Sequence, residues 1–195
     1  MTHDPPAPRG RVADRSHRRL GIDDTATLDR DAFVARFGGV FEGSPWIASA
    51  AWDGGPYASV AALHAAMVAI VEAAPRDARL ALIRAHPELA GKAAIASALT
   101  PESTREQAAA GLDRLTPEQH AQLLSVTGTY RERFGFPFII CVREHNADSI
   151  IAGAAARLAH DPDDEERTAL AEIAKIAALR LPDLVADDVA GRTSP

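Results

Sequence analysis

The sequence predicts an all-α protein, a single-domain compact bundle of about eight helices. Three observations carry this expectation: alanine recurs throughout, aromatic residues make up only 5% of the chain, and β-branched runs are short. Small side chains and strong helix formers favour helices packed closely against one another. With 195 residues the chain has the length for one domain and a substantial core.

Residues 1–22 carry Pro5, Pro6 and Pro8, and there are five arginines up to Leu20 with almost no large apolar groups, so this stretch is expected to be a flexible tail. The folded domain is expected over residues 23–183, with 184–195 as a second, frayed tail and the polar ending setting in at Pro182. The first core helix starts near Leu28, capped by Asp29, presents Phe33 and Phe37 one turn apart, and closes at Gly38-Gly39. Ser44 caps a second helix with Pro45 at its first position and Trp46 and Trp52 on its buried side. After the breaker Gly54-Gly55-Pro56, a long helix from Tyr57 to Ala74 repeats Val60, Leu63, Met67, Ile70 and Val71 at helical spacing. His64 on that helix has no histidine or carboxylate three or four residues away, which makes it a surface or satisfied core residue rather than a metal ligand.

Pro75 opens a helix that carries Leu80, Leu82 and Ile83 and stops at His86, because proline at position 87 disfavours the α conformation in the residue before it. Ser103 and Glu106 have capping-box spacing, so the next helix is expected to begin at Ser103. Thr116-Pro117-Glu118-Gln119 is a helix start with cap, proline and reciprocal glutamine, leading to a helix that reaches about Arg133 with Leu123, Leu124, Val126 and Tyr130 inward. Phe136-Pro137-Phe138-Ile139-Ile140 is too apolar for an exposed loop and reads as a short buried extended segment whose backbone groups must find partners. Asn146 caps a seventh helix to about Leu158, and after Asp161-Pro162 a last helix carries Ile173, Ile176, Leu179 and Leu181 inward. No repeat of solenoid period is present.

Composition excludes several functional classes. A formal net charge of −6 and a pI near 5.6, with no basic patch in the body of the chain, argue against a nucleic-acid surface. No apolar run has the length of a membrane span, the start lacks the apolar core of a secretory signal, and Arg192-Thr193-Ser194-Pro195 is not a peroxisomal address of the Ser-Lys-Leu kind. A soluble, cytoplasmic protein is expected. Cys141 stands alone among Ile139, Ile140 and Val142, which makes it a buried thiol rather than a nucleophile.

Chemistry concentrates between Leu82 and Gln107, LIRAHPELAGKAAIASALTPESTREQ. An imidazole at a helix end titrates near neutral pH and can hand over a proton, although His86 before a proline can equally be loop punctuation. Ser103 with Glu106 can equally be a helix cap and nothing more.

Taken together, HPELAGK, Ser103-x-x-Glu106-Gln107 and the run Phe134-Gly135-Phe136-Pro137-Phe138-Ile139-Ile140-Cys141-Val142 resemble the 2-oxo-4-hydroxy-4-carboxy-5-ureidoimidazoline (OHCU) decarboxylase family, over about residues 28–183. Phe41-Glu42-Gly43-Ser44-Pro45-Trp46 is similar to a Glu-x-Ser-Pro-Trp stretch of that family. The resemblance implies an enzyme of urate degradation that converts OHCU to S-allantoin without metal or organic cofactor, often as a homodimer. Its substrate ring bears a carboxylate, a hydroxyl and a ureido group. Unsaturated carbon beside the breaking bond takes up the electron pair, so the protein has to orient the ring, stabilise developing charge and deliver one proton to one face.

By the same resemblance His86 is the general acid, with Pro87 fixing its backbone direction. Substrate-binding roles fall on Ser103, Glu106 and Gln107, on the backbone of Phe138, Ile139, Ile140, Cys141 and Val142, and on Arg180. Glu106 and Gln107 offer acceptor and donor groups suited to a ureido-imidazoline, and the Arg180 guanidinium suits a carboxylate, although its charge pattern fits a salt-bridged helix surface as well. Glu106 is in conflict as both reciprocal cap and substrate acceptor. Two alternatives remain: a metal-dependent amidohydrolase, for which no His-x-His or His-x-x-x-His is present, and a non-catalytic helical partner protein that keeps only the fold.

Overall fold

The computed structural model describes residues 19–89 and 100–187. Among these, eight α-helices form the body: α1 (Arg30–Phe37), α2 (Pro45–Gly54), α3 (Val60–Ala73), α4 (Arg76–Ala85), α5 (Pro101–Ala109), α6 (Pro117–Phe134), α7 (Ala147–Arg157) and α8 (Pro162–Leu184). Short 3-10 turns lie at Asp23–Thr27 and Val142–Glu144. The expected tail over residues 1–18, the stretch 90–99 with Ala90-Gly91-Lys92 of the HPELAGK string, and residues 188–195 lie outside the described residues.

Several helix starts are set by local chemistry. Asp29 accepts from the Ala32 amide at 2.8 Å, and Ser59 caps α3 through the Ala62 amide, which moves the start of that helix from Tyr57 to Val60. Thr116 and Gln119 close a full capping box over Pro117, and Asn146 with Ser149 does the same for α7. Ser44 makes no side-chain cap, so α2 begins on Pro45 alone. At the far end of α6 Gly135 takes φ 75°, the left-handed conformation that closes a helix and favours glycine.

Helix α8 is the axis of the core: α1, α3 and α4 pack against it, α2 bridges α1 and α3, and α6 lies along α7. Buried Leu63 and Met67 of α3, Leu82 and Ile83 of α4, Leu123 and Tyr130 of α6 and Ile173 and Leu181 of α8 fill the interior. Tyr130 is ringed by Phe134, Phe136 and Phe138 at 4.7 to 6.0 Å between ring centres.

Three packing expectations are corrected. Trp46 and Trp52 are each 37% exposed, because α2 meets its neighbours through Ile47, Ala48 and Ala51, whose small side chains let the helices approach. Trp52 instead lies at the rim, donating its indole N–H to the Leu28 carbonyl at 2.9 Å beneath the Arg30 guanidinium. Leu124 of α6 is exposed while its neighbour Leu123 is buried, so the inward stripe runs through Leu123 and Tyr130.

The chain is also ordered further at both ends than the polar composition predicts. Helix α8 continues through Pro182 to Leu184, whose carbonyl accepts from the Arg36 guanidinium at 2.8 Å. Val185 and Ala186 then pair in parallel with Leu20 and Gly21, and both Val185 and Ile22 are buried. The two-residue strands leave the all-α class intact.

Candidate active site

His86 is the residue after the last turn of α4, with φ −74° and ψ 139°, the extended conformation that Pro87 imposes. Its Nδ1 lies 3.0 Å from the Leu82 carbonyl. A carbonyl only accepts, so Nδ1 carries the hydrogen and Nε2 is the nitrogen left for proton exchange. Burial holds the imidazole below its ordinary pKa; the Leu82 bond and the carboxylates of Glu42 and Glu106 pull the other way, and Arg180 adds to the lowering.

Helix α5 starts earlier than expected. Thr100 is its cap, accepting from the Ser103 amide at 3.2 Å, and Pro101 holds the first helical position. The capping-box reading of Ser103 and Glu106 is therefore corrected: a threonine-proline start sits one turn upstream. Ser103, freed from capping, donates its hydroxyl to Glu42 Oε2 at 3.2 Å. Glu106 meets Arg180 side-on, with Nε–Oε1 and Nη2–Oε2 both 2.8 Å. The conflict between cap and acceptor disappears with it.

Arg180 projects from α8 and is 7% exposed. All five of its N–H groups have protein acceptors: two on Glu106, one on Glu42 Oε2 at 2.8 Å, one on the Ser103 hydroxyl at 3.2 Å and one reaching the Gly39 carbonyl at 3.5 Å. Burial alone lowers the pKa of Arg180, but the bonds and charges of Glu106 and Glu42 outweigh it and push the value up. At Glu42 burial opposes the charged form, while Arg180 and a hydrogen bond from Thr100 prevail and hold the carboxyl low.

Glu42 was missed as a site residue in the sequence. It sits in the α1–α2 loop, 6% exposed, and its signal was the Glu-x-Ser-Pro-Trp stretch. Gly43 after it takes φ 59°, and a Cβ there would stand 3.0 Å from the Ala85 side chain, so glycine is what lets this loop close onto the end of α4 beside His86.

Ten of the eleven sequence-predicted site residues line one cavity: His86, Pro87, Ser103, Glu106, Gln107, Phe138, Ile139, Ile140, Val142 and Arg180, joined by Leu89 and Ile176. Its volume is about 40 Å³. Cys141 is the exception: its side chain is buried elsewhere, and burial pushes its thiol pKa up, which suits an inert core sulfur. Glu106 and Arg180 also line a neighbouring cavity of about 250 Å³ that carries Arg36, Arg105 and Arg143. A wider groove of about 770 Å³ beside α3, α4 and α8 contains none of the expected residues.

His64 and His160 lie away from this cavity and make structural contacts. His64 Nε2 lies 2.8 Å from the Ala174 carbonyl, and His160 Nδ1 lies 2.7 Å from Glu165 Oε2. Among the described residues no group of three His, Cys, Asp or Glu is arranged to hold a metal ion, and no helix is long and apolar enough to cross a membrane.

An all-helical domain that gathers a histidine at a broken helix end and a carboxylate–guanidinium cluster around one small cavity has the make-up of a helical enzyme. The chain belongs to the OHCU decarboxylase family, whose profile matches residues 26–182. It is 40% identical to the OHCU decarboxylase of Halalkalicoccus jeotgali, over 85% of this chain and 92% of that one. It is 43% identical to the Haloferax volcanii enzyme of the same name, over 83% of this chain and 94% of that one. Among solved structures it is similar to an (S)-allantoin synthase with a TM-score of 0.68 and 28% identity, over 85% of this chain and 54% of that longer one. An OHCU decarboxylase crystallised in the presence of (S)-allantoin shares the fold, with a TM-score of 0.60 and 21% identity over 79% of this chain and 96% of that one.

Proposed function

We propose that this protein decarboxylates OHCU to (S)-allantoin in urate degradation, with His86 as the general acid and with no metal or organic cofactor. The observation that carries this reading is the convergence of His86, Ser103, Glu106, Gln107 and the Phe138–Val142 run on one cavity. The substrate's own unsaturated ring supplies the electron sink: the bond to the carboxylate breaks, its electron pair enters the ring, carbon dioxide leaves, and one proton from His86 Nε2 closes the step.

Burial holds the His86 imidazole below its ordinary pKa. An incoming carboxylate places negative charge beside the ring and raises its proton affinity, so the imidazolium forms with substrate bound. Glu106 and Gln107 receive and donate hydrogen bonds to the ureido group. Arg180 fixes the Glu106 carboxylate and contributes positive charge towards the substrate carboxylate; a direct bond requires it to release one of its present acceptors, of which the Gly39 carbonyl at 3.5 Å is the longest held. The cavity's small volume implies that side chains move apart as the ring enters.

Freshly generated OHCU given to wild type and His86→Asn, with the chirality of the product followed, tests the reading. Turnover is expected to fall by roughly 10² to 10⁴, the usual contribution of a positioned acid, while affinity for (S)-allantoin is kept. Racemic allantoin formed by wild type at the spontaneous rate would support a binding protein instead. Activity lost on chelation and restored by zinc would support the amidohydrolase reading. A cytoplasmic location and a homodimeric state belong to the same proposal, on the family resemblance; light scattering is expected to give about twice the 20.7 kDa of one chain.

A further inference from the structure

Two buried charged residues outside the cavity grip the backbone of the segment that lines it. Arg157, on α7, donates from Nη1 to the Ile139 carbonyl at 2.7 Å. Glu172, on α8, accepts the Cys141 amide on Oε2 at 2.7 Å. Each is anchored by an opposite charge: Arg157 Nε reaches the fully buried Glu165 at 2.9 Å, and Glu172 Oε1 reaches Lys175 at 2.6 Å. Arg157 also lies over the Phe138 ring, 4.6 Å from its centre.

Peptide units are planar, and in the trans form C=O and N–H point in opposite directions. The Ile139 carbonyl shares its plane with the Ile140 N–H, and the Cys141 N–H shares its plane with the Ile140 carbonyl. Neither of these bonds is cis. Fixing one end of each plane therefore aims the other end, and both aimed groups belong to Ile140, which lines the cavity.

We propose that Arg157 and Glu172 are positioning residues that together orient the Ile140 N–H and C=O as a donor–acceptor pair for the amide edge of the bound ureide. The inference rests on the functional reading above and names which backbone pair meets the ligand and what holds it there. Neither residue touches the ligand. A charge-assisted bond to each plane keeps the pair from swinging, which is what selects one face of the ring for protonation.

The experiment compares wild type with Glu172→Ala, Glu172→Gln and Glu172→Asp, reading KM, kcat, product enantiomeric excess, thermal melting and the carbonyl carbon resonance of Ile140. Glu172→Ala is expected to raise KM by roughly tenfold, to lower enantiomeric excess and to shift the Ile140 carbonyl, with kcat and its pH limb little changed. Glu172→Gln keeps an acceptor oxygen and is expected to restore all three. Glu172→Asp keeps the charge but withdraws the oxygen; it is expected to behave as the alanine variant does and serves alone if that variant fails to melt cooperatively. An Ile140 carbonyl unmoved in Glu172→Asp, or equal impairment in the glutamine and aspartate variants, overturns the inference whatever the protein turns over. A wild type that does not accelerate OHCU decay overturns the functional reading, and the Ile140 resonance then decides this one separately.

Discussion

Arg180 and Glu42 stand 138 positions apart in the chain, yet their side chains meet at 2.8 Å, each 7% exposed. That contact joins the last helix to the first loop and closes a cluster with Glu106 and Ser103 against the cavity. It also means that one guanidinium is the shared partner of two carboxylates, Glu42 buried and Glu106 partly buried.

Removing that cation leaves both acids without compensation. Arg180→Ala is expected to cost about 3 to 5 kcal/mol, as breaking a buried pair commonly does, and urea denaturation near neutral pH measures it. Lysine at the same position supplies charge without the five-donor fork, so Arg180→Lys is expected to recover part of the stability but little of the activity.

Proton affinity at His86 should differ between empty and occupied sites. The pH dependence of kcat/KM reports the free enzyme, where burial holds the imidazole low, and that of kcat reports the complex, where the substrate carboxylate raises it. The limb in kcat is therefore expected at higher pH than the limb in kcat/KM, and both should vanish in His86→Asn. Coincident limbs would mean that the bound ligand places no negative charge near the ring.

Acid should weaken the fold through two groups with the same sign. Glu42 is held low, so its contribution is complete above the ordinary carboxylate value of about 4.3 and is lost as pH falls through the folded value. His86 is held below 6.5, so the unfolded chain takes up its proton first and stability declines as pH drops below that point. Of these two groups it is His86 that acts between about pH 7 and pH 5, so urea midpoints of wild type should fall over that range and His86→Asn should flatten the decline.

A helix cap and a site hydroxyl carry opposite signatures. Thr116→Ala removes the capping box of α6 and is expected to cost about 1 kcal/mol with unchanged kinetics. Ser103→Ala leaves the Thr100 cap in place and is expected to raise KM, because Glu42 and Arg180 lose their shared hydroxyl. Melting curves beside steady-state kinetics separate the two.

What the sequence made legible was chemistry that acts over a few residues. Asp29, Thr116 and Asn146 each cap a helix through an amide three positions on, and His86 is extended because Pro87 follows it. Spacing was less reliable where two local starts competed, as at Thr100 and Ser103, since the proline at 101 decides between them. Pairings across the chain were illegible: nothing near Glu42 announces Arg180, and nothing near Arg157 or Glu172 announces a backbone segment on another element. Glu165, in the acidic first turn of α8, is fully buried beneath Tyr130, Arg157 and His160, and nothing in its local sequence marks that. The tryptophans misled because size suggested depth, whereas the small alanines of α2 set the distance between helices.

Leu20 and Val185 lie side by side in the parallel pairing, so the polypeptide comes into the helical body and departs from it at the same place. A neighbouring module fused directly before Leu20 or after Ala186 would hang from that one corner. Proximity of this kind favours insertion of the body as a unit into another chain.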